Sequence, residues 1–191
     1  MPKTLVDMVD NDRTDKNTVH SYLDLYHELL INRKGSAINV LEIGILKGGS
    51  IKLWSDFFSN ATVYGLDICD SSQVWDEIKN KDRIKLLTSY DAYNNDMFRN
   101  SFLNKGIKFD FMLDDGPHTL ESMISFIQMY SQIMTDDGIL IIEDVQSPEW
   151  LDVLRDKTPD HLKPFVTTYD LRANKGRYDD IVFVIDKVLR V

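Results

Sequence analysis

Acidic side chains follow two apolar segments of the sequence, at positions where buried strands would end. The segment FDFMLDDGPH places Asp114 and Asp115 after one apolar run, and GILIIEDV places Glu143 and Asp144 after another. Because the carboxyl ends of neighbouring parallel strands meet at one edge of a sheet, we expect these four acids to converge. Converging carboxylates repel one another unless a cation lies among them, and oxygen ligands suit a hard divalent ion such as Mg²⁺.

An imidazole lies close to these acids along the chain. His118 follows Asp115 by three residues, and the intervening Gly116 and Pro117 are typical of a turn. An Asp-Asp-Gly-Pro run alone usually indicates only a turn, but its pairing with IIED favours a functional site. The turn is expected to bring the imidazole to the same edge of the sheet as the acids.

A glycine-bearing turn follows the first predicted strand, in the segment LEIGILKGGS. Gly44 and Gly49 fit the dinucleotide fingerprint, but Leu46 occupies its middle glycine position, which disfavours a pyrophosphate ligand. Glu42, just inside the strand end, suits a ligand with a cationic part. Asp67 ends the second strand, where an acid commonly accepts both hydrogen bonds from the hydroxyls of an adenosine ribose.

Two further polar residues, Ser89 and Asp91, follow the third predicted strand in the segment TSYDAY. They have two equally weighted interpretations, contact with an adenine ring or simple turn chemistry. A hydrolase is disfavoured because the sequence lacks the G-x-S-x-G elbow that would present a nucleophilic serine.

Short β-rich segments alternate with helical segments, which is typical of βαβ units with helices on both faces of a parallel sheet. The predicted strands are 39–44, 62–67, 83–88, 109–114 and 138–143, and the predicted helices are 50–58, 73–80, 95–104 and 120–134. Two last β-rich segments, 165–171 and 181–185, are joined by a segment without room for a helix, which predicts a hairpin. We therefore predict one α/β domain over 1–191, with a Rossmann-like core from 38 and a seven-stranded, mostly parallel sheet whose last strand is antiparallel.

The first part of the chain, 1–31, is predicted to be a segment and helix that pack over the cofactor side of this core. The helix is indicated by apolar residues at helical spacing, namely Val19, Tyr22, Leu23, Tyr26, Leu29 and Leu30. Asn17 or Thr18 is expected to cap it. His20 and His27 are interpreted as ordinary polar positions of this helix.

The composition predicts an acidic globular protein. Its 31 acidic and 22 basic residues give a formal net charge of −9, which repels phosphate backbones, so no nucleic-acid partner is expected. The sequence shows no spanning apolar run and no secretory signal, which predicts a cytoplasmic protein without a membrane partner. Cys69 is the single cysteine, so no internal disulfide forms, and we expect it to be a small buried hydrophobe.

The combination of D-D-G-x-H with I-E-D resembles the class I S-adenosylmethionine-dependent methyltransferases. More narrowly, the chain resembles the metal-dependent sugar O-methyltransferases of the macrocin and mycinose type. The resemblance covers most of the chain, through TDKNTVHSYLDLYHELL, LEIGILKGGSIKLWSDFF, ATVYGLDI, FDFMLDDGPHTLESM, DDGILIIEDV and GRYDDIVFVI.

Position by position, the resemblance implies a metal site, a base and a cofactor site. Asp115, Glu143 and Asp144 would bind Mg²⁺ or Mn²⁺, and Asp115 and His118 would be the catalytic pair, with His118 as general base. Around S-adenosyl-L-methionine it implies Glu42, Gly44 and Ser50 at the methionine part, Asp67 at the ribose, and Ser89 and Asp91 near adenine.

The implied activity is O-methylation of a sugar hydroxyl in a glycan or glycosylated natural product, with a small-molecule or glycan diol as substrate. The alternatives are a catechol-type O-methyltransferase, a non-catalytic nucleoside-binding module and a nicotinamide dehydrogenase, against which Leu46 counts. Related enzymes often carry an extra domain or lid helices, whereas here only 1–31 is available to close the site. Either a neighbouring subunit of a homo-oligomer completes it, or a large acceptor approaches an open face.

Overall fold

A computed structural model describes residues 3–188 of the chain, which form one seven-stranded sheet with helices on both faces. The strands are β1 Asn39–Ile43, β2 Thr62–Asp67, β3 Ile84–Thr88, β4 Phe109–Asp114, β5 Met134–Ile142, β6 Val166–Asp170 and β7 Ile181–Asp186. The helices of the described part are α1 Leu5–Met8, α2 Tyr22–Leu30, α3 Gly49–Phe57, α4 Asp76–Lys79, α5 Asn95–Ser101, α6 Leu120–Tyr130, α7 Glu149–Lys157 and α8 Arg172–Lys175.

The strand order is β3-β2-β1-β4-β5-β7-β6, and β1 to β5 are paired in parallel. The last strand, β7, lies between β5 and β6 and is antiparallel to both. This confirms the prediction of a mostly parallel sheet with an antiparallel last strand. The chain progresses outward in one direction from β1 to β3 and in the other from β4, so a crevice opens between β1 and β4, where ligands bind in such sheets.

Apolar residues on the central strands face alternately toward the two helical layers. In β1, Val40 packs in one apolar cluster with Trp54 of α3, while Leu41 packs in the other with Phe126 of α6. All four of these side chains are buried. Because β1 is covered on both faces, its central residues read in the sequence as an apolar run, and Glu42 near its carboxyl end is a buried acid.

Helix α2 begins later than predicted. Its N-cap is Ser21, whose side chain makes no capping hydrogen bond, so the predicted caps Asn17 and Thr18 are wrong. Their backbone carbonyls, and that of His20, instead accept hydrogen bonds from the Lys175 ammonium of α8. The segment before α2 is thus held by a side chain from the far end of the sequence.

Helix prediction was least accurate in the last third of the chain. Helix α7 was not predicted, and α8 forms where no helix was expected, although β6 and β7 do form the predicted hairpin. Four residues suffice for one helical turn, which Gly176 ends with a φ of 73°. Among the described residues, no helix has the length and apolar character needed to cross a bilayer.

Cys69 is exposed, so the prediction that it is buried is wrong. It lies just after β2, where the chain has left the core and lines a cavity instead. The residue alone gave no information on this position, because a free cysteine is equally compatible with a core and with a loop.

Replacement of Gly44 by alanine is predicted to destabilise the protein strongly. Gly44 has a φ of 93°, and an added Cβ would lie 2.1 Å from the carbonyl oxygen of Asp115. We expect a loss of at least about 2 kcal/mol in the free energy of unfolding, measured by urea denaturation. Gly35→Ala is the control, because no atom lies within 4 Å of an added Cβ there, and its stability should be nearly unchanged. Equal stability of both variants would contradict this account.

Candidate active site

A cavity of about 900 Å³ opens at the carboxyl edge of the sheet, over the crevice between β1 and β4. The N-terminal segment forms one wall, and the turns after β1, β2, β3, β4 and β5 and the β6–β7 hairpin form the rest. The residues that carry polar groups into it include Arg13, Asp15, His20, Ser50, Asp67, Asp91, Asp115, His118, Asp144, Arg177 and Asp179. Strand ends and the start of the chain therefore meet at one site, as parallel-sheet topology predicts.

The turn after β1 is shaped by Asp67. One carboxylate oxygen accepts hydrogen bonds from the backbone N–H groups of Ile45 (2.8 Å) and Leu46 (3.1 Å), and the other from that of Cys69 (2.9 Å). Burial alone would raise the pKa of Asp67, but these hydrogen bonds lower it. Asp67 is therefore an ionised side chain that fixes the glycine turn and also lines the cavity.

The other predicted cofactor residues divide into two groups. Gly44, Ser50 and Asp91 line the cavity together with Asp67. Among the described residues, Glu42 and Ser89 are not part of the lining. Glu42 is fully buried behind the turn, where it accepts a hydrogen bond from Trp54 Nε1 at 2.8 Å, and the Ser89 N–H donates to the Cys69 carbonyl at 2.9 Å.

Asp115, His118 and Asp144 form a compact group of polar side chains at the cavity wall. His118 Nε2 lies 3.2 Å from Asp115 Oδ1 and 3.4 Å from Asp144 Oδ2. One donor atom from each of the three residues lies within 4.8 Å of the others, a spacing that fits a single metal ion. Burial alone would lower the pKa of His118, but the hydrogen bond with Asp115 and the charge of Asp144 raise it.

Two backbone conformations aim this group into the cavity. His118 and Asp144 have positive φ values of 53° and 54°, which are uncommon for residues with a side chain. Between Asp115 and His118, Gly116 leaves room for Tyr93, since an added Cβ would lie 2.1 Å from the Tyr93 hydroxyl. Such conformations cost free energy and persist only where the surrounding structure stabilises them. They are found most often at functional sites.

The four acids predicted to converge do so only in part. Consecutive residues at a strand end point to opposite sides, so Asp114 faces Tyr93, whose hydroxyl donates to it at 2.5 Å. Asp114 is buried, which raises its pKa to about 7. Glu143 likewise points away from Asp144, toward the N-terminal segment.

The ammonium of Lys16 lies among three carboxylates. It contacts Glu143, lies 2.6 Å from Asp115 Oδ2 and 3.4 Å from Glu42 Oε1, and its side chain is 1% exposed. The Tyr26 hydroxyl donates to the second oxygen of Glu143 at 2.6 Å. The oxygens of Glu143, a predicted metal ligand, are therefore engaged by Lys16 and Tyr26 in this structure.

The charges in this group determine which acids are ionised. Burial alone would lower the pKa of Lys16, but Asp115, Glu143 and Glu42 raise it well above its ordinary value. Burial would raise the pKa of Asp115, yet Lys16 and His118 lower it to about 2. Burial raises the pKa of Glu42 to about 7 against the opposing charge of Lys16. The Lys16 ammonium thus keeps Asp115 ionised, but its charge does not offset the effect of burial on the pKa of Glu42.

His20 is a buried site residue rather than an ordinary polar position, so its interpretation from the sequence is wrong. Its Nδ1 lies 2.7 Å from Asp180 Oδ1 and 3.3 Å from Asp144 Oδ1. The neighbouring Tyr22 hydroxyl donates to Asp144. Together with Asp179, these residues form a second group with metal-compatible spacing, His20, Asp144, Asp179 and Asp180.

Sequence reasoning missed Lys16, Tyr22 and Tyr26 as site residues. The helical periodicity correctly identified the two tyrosines as apolar-face positions, and both are fully buried. A usable signal was present, because the hydroxyl of a buried tyrosine needs a hydrogen-bond partner. Lys16 gave no such signal, because an isolated lysine is usually solvated.

Known proteins resemble this chain in sequence and in structure. The chain is 27% identical over 140 residues to mycinamicin VI 2''-O-methyltransferase from Micromonospora griseorubida, covering 69% of this chain and 33% of the relative. It is 26% identical over 145 residues to 8-demethyl-8-alpha-L-rhamnosyl tetracenomycin-C 2'-O-methyltransferase from Streptomyces olivaceus, covering 72% of this chain and 36% of the relative. No family model matches the chain.

Among solved structures, the MycE methyltransferase from the mycinamycin biosynthetic pathway, in complex with Mg and SAH, superimposes with a TM-score of 0.74. The alignment covers 97% of this chain and 55% of MycE at 20% identity. The chain has the class I methyltransferase fold. These comparisons confirm the resemblance to sugar O-methyltransferases, and the matched residues of this chain span only about a third of the length of these curated relatives.

Replacement of Tyr26 by phenylalanine is predicted to destabilise this methyltransferase fold. The change deprives a buried carboxylate oxygen of Glu143 of its hydroxyl donor. We expect the free energy of unfolding to fall by about 1–3 kcal/mol, measured by guanidinium denaturation. Tyr90→Phe is the matched control, since the Tyr90 side chain is exposed, and it should leave stability unchanged. Identical denaturation midpoints for the two variants would exclude a stabilising role for the Tyr26 hydroxyl.

Proposed function

We propose that this chain is an S-adenosyl-L-methionine-dependent O-methyltransferase that uses a divalent ion, Mg²⁺ or Mn²⁺, to methylate a hydroxyl of a sugar diol. The acceptor would be a glycan or a glycosylated natural product. The observation that carries the proposal is the group formed by Asp115, His118 and Asp144 at the wall of a cavity large enough for a cofactor and part of an acceptor.

The donor set fits a divalent ion. Asp115 and Asp144 offer carboxylate oxygens on either side of one space, and carboxylates are the ligands that suit Mg²⁺ or Mn²⁺, with His118 beside them as the proposed base. A bound ion would supply positive charge that favours loss of a proton from a nearby hydroxyl. Glu143 remains a predicted third ligand, which would require it to exchange its contacts with Lys16 and Tyr26.

The protein's own residues would position the reaction. His118 Nε2 lies 3.2 Å from Asp115 Oδ1 and 3.4 Å from Asp144 Oδ2, so with both carboxylates engaged by the ion this nitrogen would be placed to accept the proton of a hydroxyl held there. Gly44, Ser50, Asp67 and Asp91 line the side of the cavity where the cofactor would bind.

The acidic lining also suits the methyl donor. S-adenosyl-L-methionine carries a positively charged sulfonium, and a cavity wall rich in carboxylates attracts a cation. The same wall disfavours a nicotinamide cofactor, because the negative charge of its pyrophosphate would be repelled by these acids. Leu46, at the middle glycine position of the turn, adds to this preference.

The choice of acceptor is supported by the relatives, whose names specify a 2''-O-methyl and a 2'-O-methyl transfer to glycosylated compounds. MycE has also been solved with Mg, SAH and mycinamycin VI. A catechol acceptor is the second candidate, favoured by Tyr90 and Tyr93, two aromatic side chains in the cavity lining.

Asp67→Ala is predicted to weaken binding of S-adenosylhomocysteine. The change removes three hydrogen bonds that shape the glycine turn and the acid proposed for the ribose hydroxyls. We expect the Kd from isothermal titration calorimetry to rise by at least about tenfold. The control is Asp70→Ala, which removes an exposed acid three residues away along the chain. If S-adenosylhomocysteine does not bind the unmodified protein, the cofactor proposal is wrong.

His118→Ala and Asp115→Asn are predicted to lower kcat by about 100-fold or more, while leaving binding of S-adenosylhomocysteine intact. The assay follows methyl transfer to deoxysugar glycosides and to catechols in the same mixture. A chelator should abolish activity and added Mg²⁺ should restore it. Preferential methylation of catechols would favour the second candidate, and full activity of both variants would contradict the catalytic roles.

A further inference from the structure

We propose that Lys16 and a divalent ion compete for the carboxylates of Asp115 and Glu143, so that this ammonium sets the metal affinity of the site. The inference deepens the proposed function and rests on it, because it concerns the same metal site. It assigns a role to a residue outside the predicted ligand set.

The contacts of Lys16 are those of a resident cation. Its ammonium contacts Glu143 and lies 2.6 Å from Asp115 Oδ2, so it shares Asp115 with the group that includes His118 and Asp144. The two oxygens of Asp115 face different partners, Oδ2 toward Lys16 and Oδ1 toward His118. A metal ion bound through Asp115 would therefore lie close to a fixed positive charge.

The position of Lys16 is fixed by its own segment. The Lys175 ammonium binds the carbonyls of Asn17, Thr18 and His20, immediately after Lys16. On the other side, the guanidinium of Arg13 lies 4.4 Å from the ring centre of Trp75. The N-terminal segment is thus anchored on both sides of Lys16, which holds the ammonium among the acids.

Electrostatic repulsion determines how the metal affinity changes when the Lys16 ammonium is removed. Two cations that share a carboxylate repel each other, and the repulsion is strong at a buried site because little water screens it. Removal of the ammonium would leave Asp115, Glu143 and Glu42 without their common counter-charge and free Glu143 to act as a ligand. A divalent ion would then bind more tightly, as the remaining way to neutralise the cluster.

A purely structural lysine would behave differently. Its removal would lower stability, because the surrounding acids would lose their partner, but a disrupted site would bind metal more weakly or equally well. Tighter metal binding combined with lower stability is therefore expected from competition and not from simple damage.

The test is Mn²⁺ binding to the full chain, measured by electron paramagnetic resonance of free Mn²⁺. Lys16→Met keeps the length of the side chain and removes its charge, and we expect the Kd for Mn²⁺ to fall by at least about tenfold. Lys47→Met is the matched control: it makes the same charge change at an exposed residue of the same cavity, and its Kd should stay within about twofold.

A second variant tests whether Glu143 is the contested group. In Lys16→Met/Glu143→Gln the acid that Lys16 releases is also neutralised, so the Kd for Mn²⁺ should return to within about threefold of the unmodified protein. An unchanged or higher Kd in Lys16→Met would overturn the inference and leave the proposed function standing. Absence of Mn²⁺ binding in every folded variant would overturn the metal-assisted function together with it.

If Lys16→Met does not fold, the unmodified protein provides the measurement. The ¹⁵N signal of the buried Lys16 ammonium can be assigned by its loss in Lys16→Arg. Saturation with Mg²⁺ should shift this signal if the two cations compete for the same carboxylates. An unshifted signal with Mg²⁺ bound would overturn the inference.

Discussion

The interaction on which the site depends is the burial of one ammonium among three carboxylates, Lys16 with Glu42, Asp115 and Glu143. Removing charges from water is costly, and the cost is offset only when opposite charges and hydrogen bonds surround them closely. The acids come from the ends of β1, β4 and β5 or the residue that follows, and the ammonium comes from the N-terminal segment. Electrostatic pairing thus joins three strands and the segment that covers them.

The second constraint is the backbone at the carboxyl edge of the sheet. Among the described residues, four positions other than glycine have positive φ, namely Leu46, Ser89, His118 and Asp144, and each lies in a segment that follows a strand. These conformations cost free energy, and the sheet beneath them stabilises them through parallel pairing and burial on both faces. The same rigidity keeps His118 close to Asp115 and Asp144. A rigid arrangement of side chains reduces the reorganisation that ligand binding requires.

The sequence predicted the elements that depend on local patterns. Six of the seven strands lie within two residues of the expected limits at both ends, because buried strands give short apolar runs bounded by turns, and β7 follows β6 in the expected hairpin. Asp115, His118 and Asp144 could be found because topology places strand ends together. Lys16 could not, since it lies 99 residues from Asp115 and 127 from Glu143, and no local pattern reports such a contact. His20 was misread for the same reason, because its partner Asp180 lies 160 residues away.

The hydrogen bonds between the Lys175 ammonium and the carbonyls of the N-terminal segment have a consequence for biosynthesis. Lys16 leaves the ribosome long before Lys175 and Asp180, yet the segment that carries it is held by these later residues. A nascent chain that has completed β1 to β5 therefore still lacks the partners that lock Lys16 in place. Closure of so long a loop comes late in folding, because its entropic cost precedes any stabilising contact. The cavity acquires its final electrostatic character only after the β6–β7 hairpin has been translated.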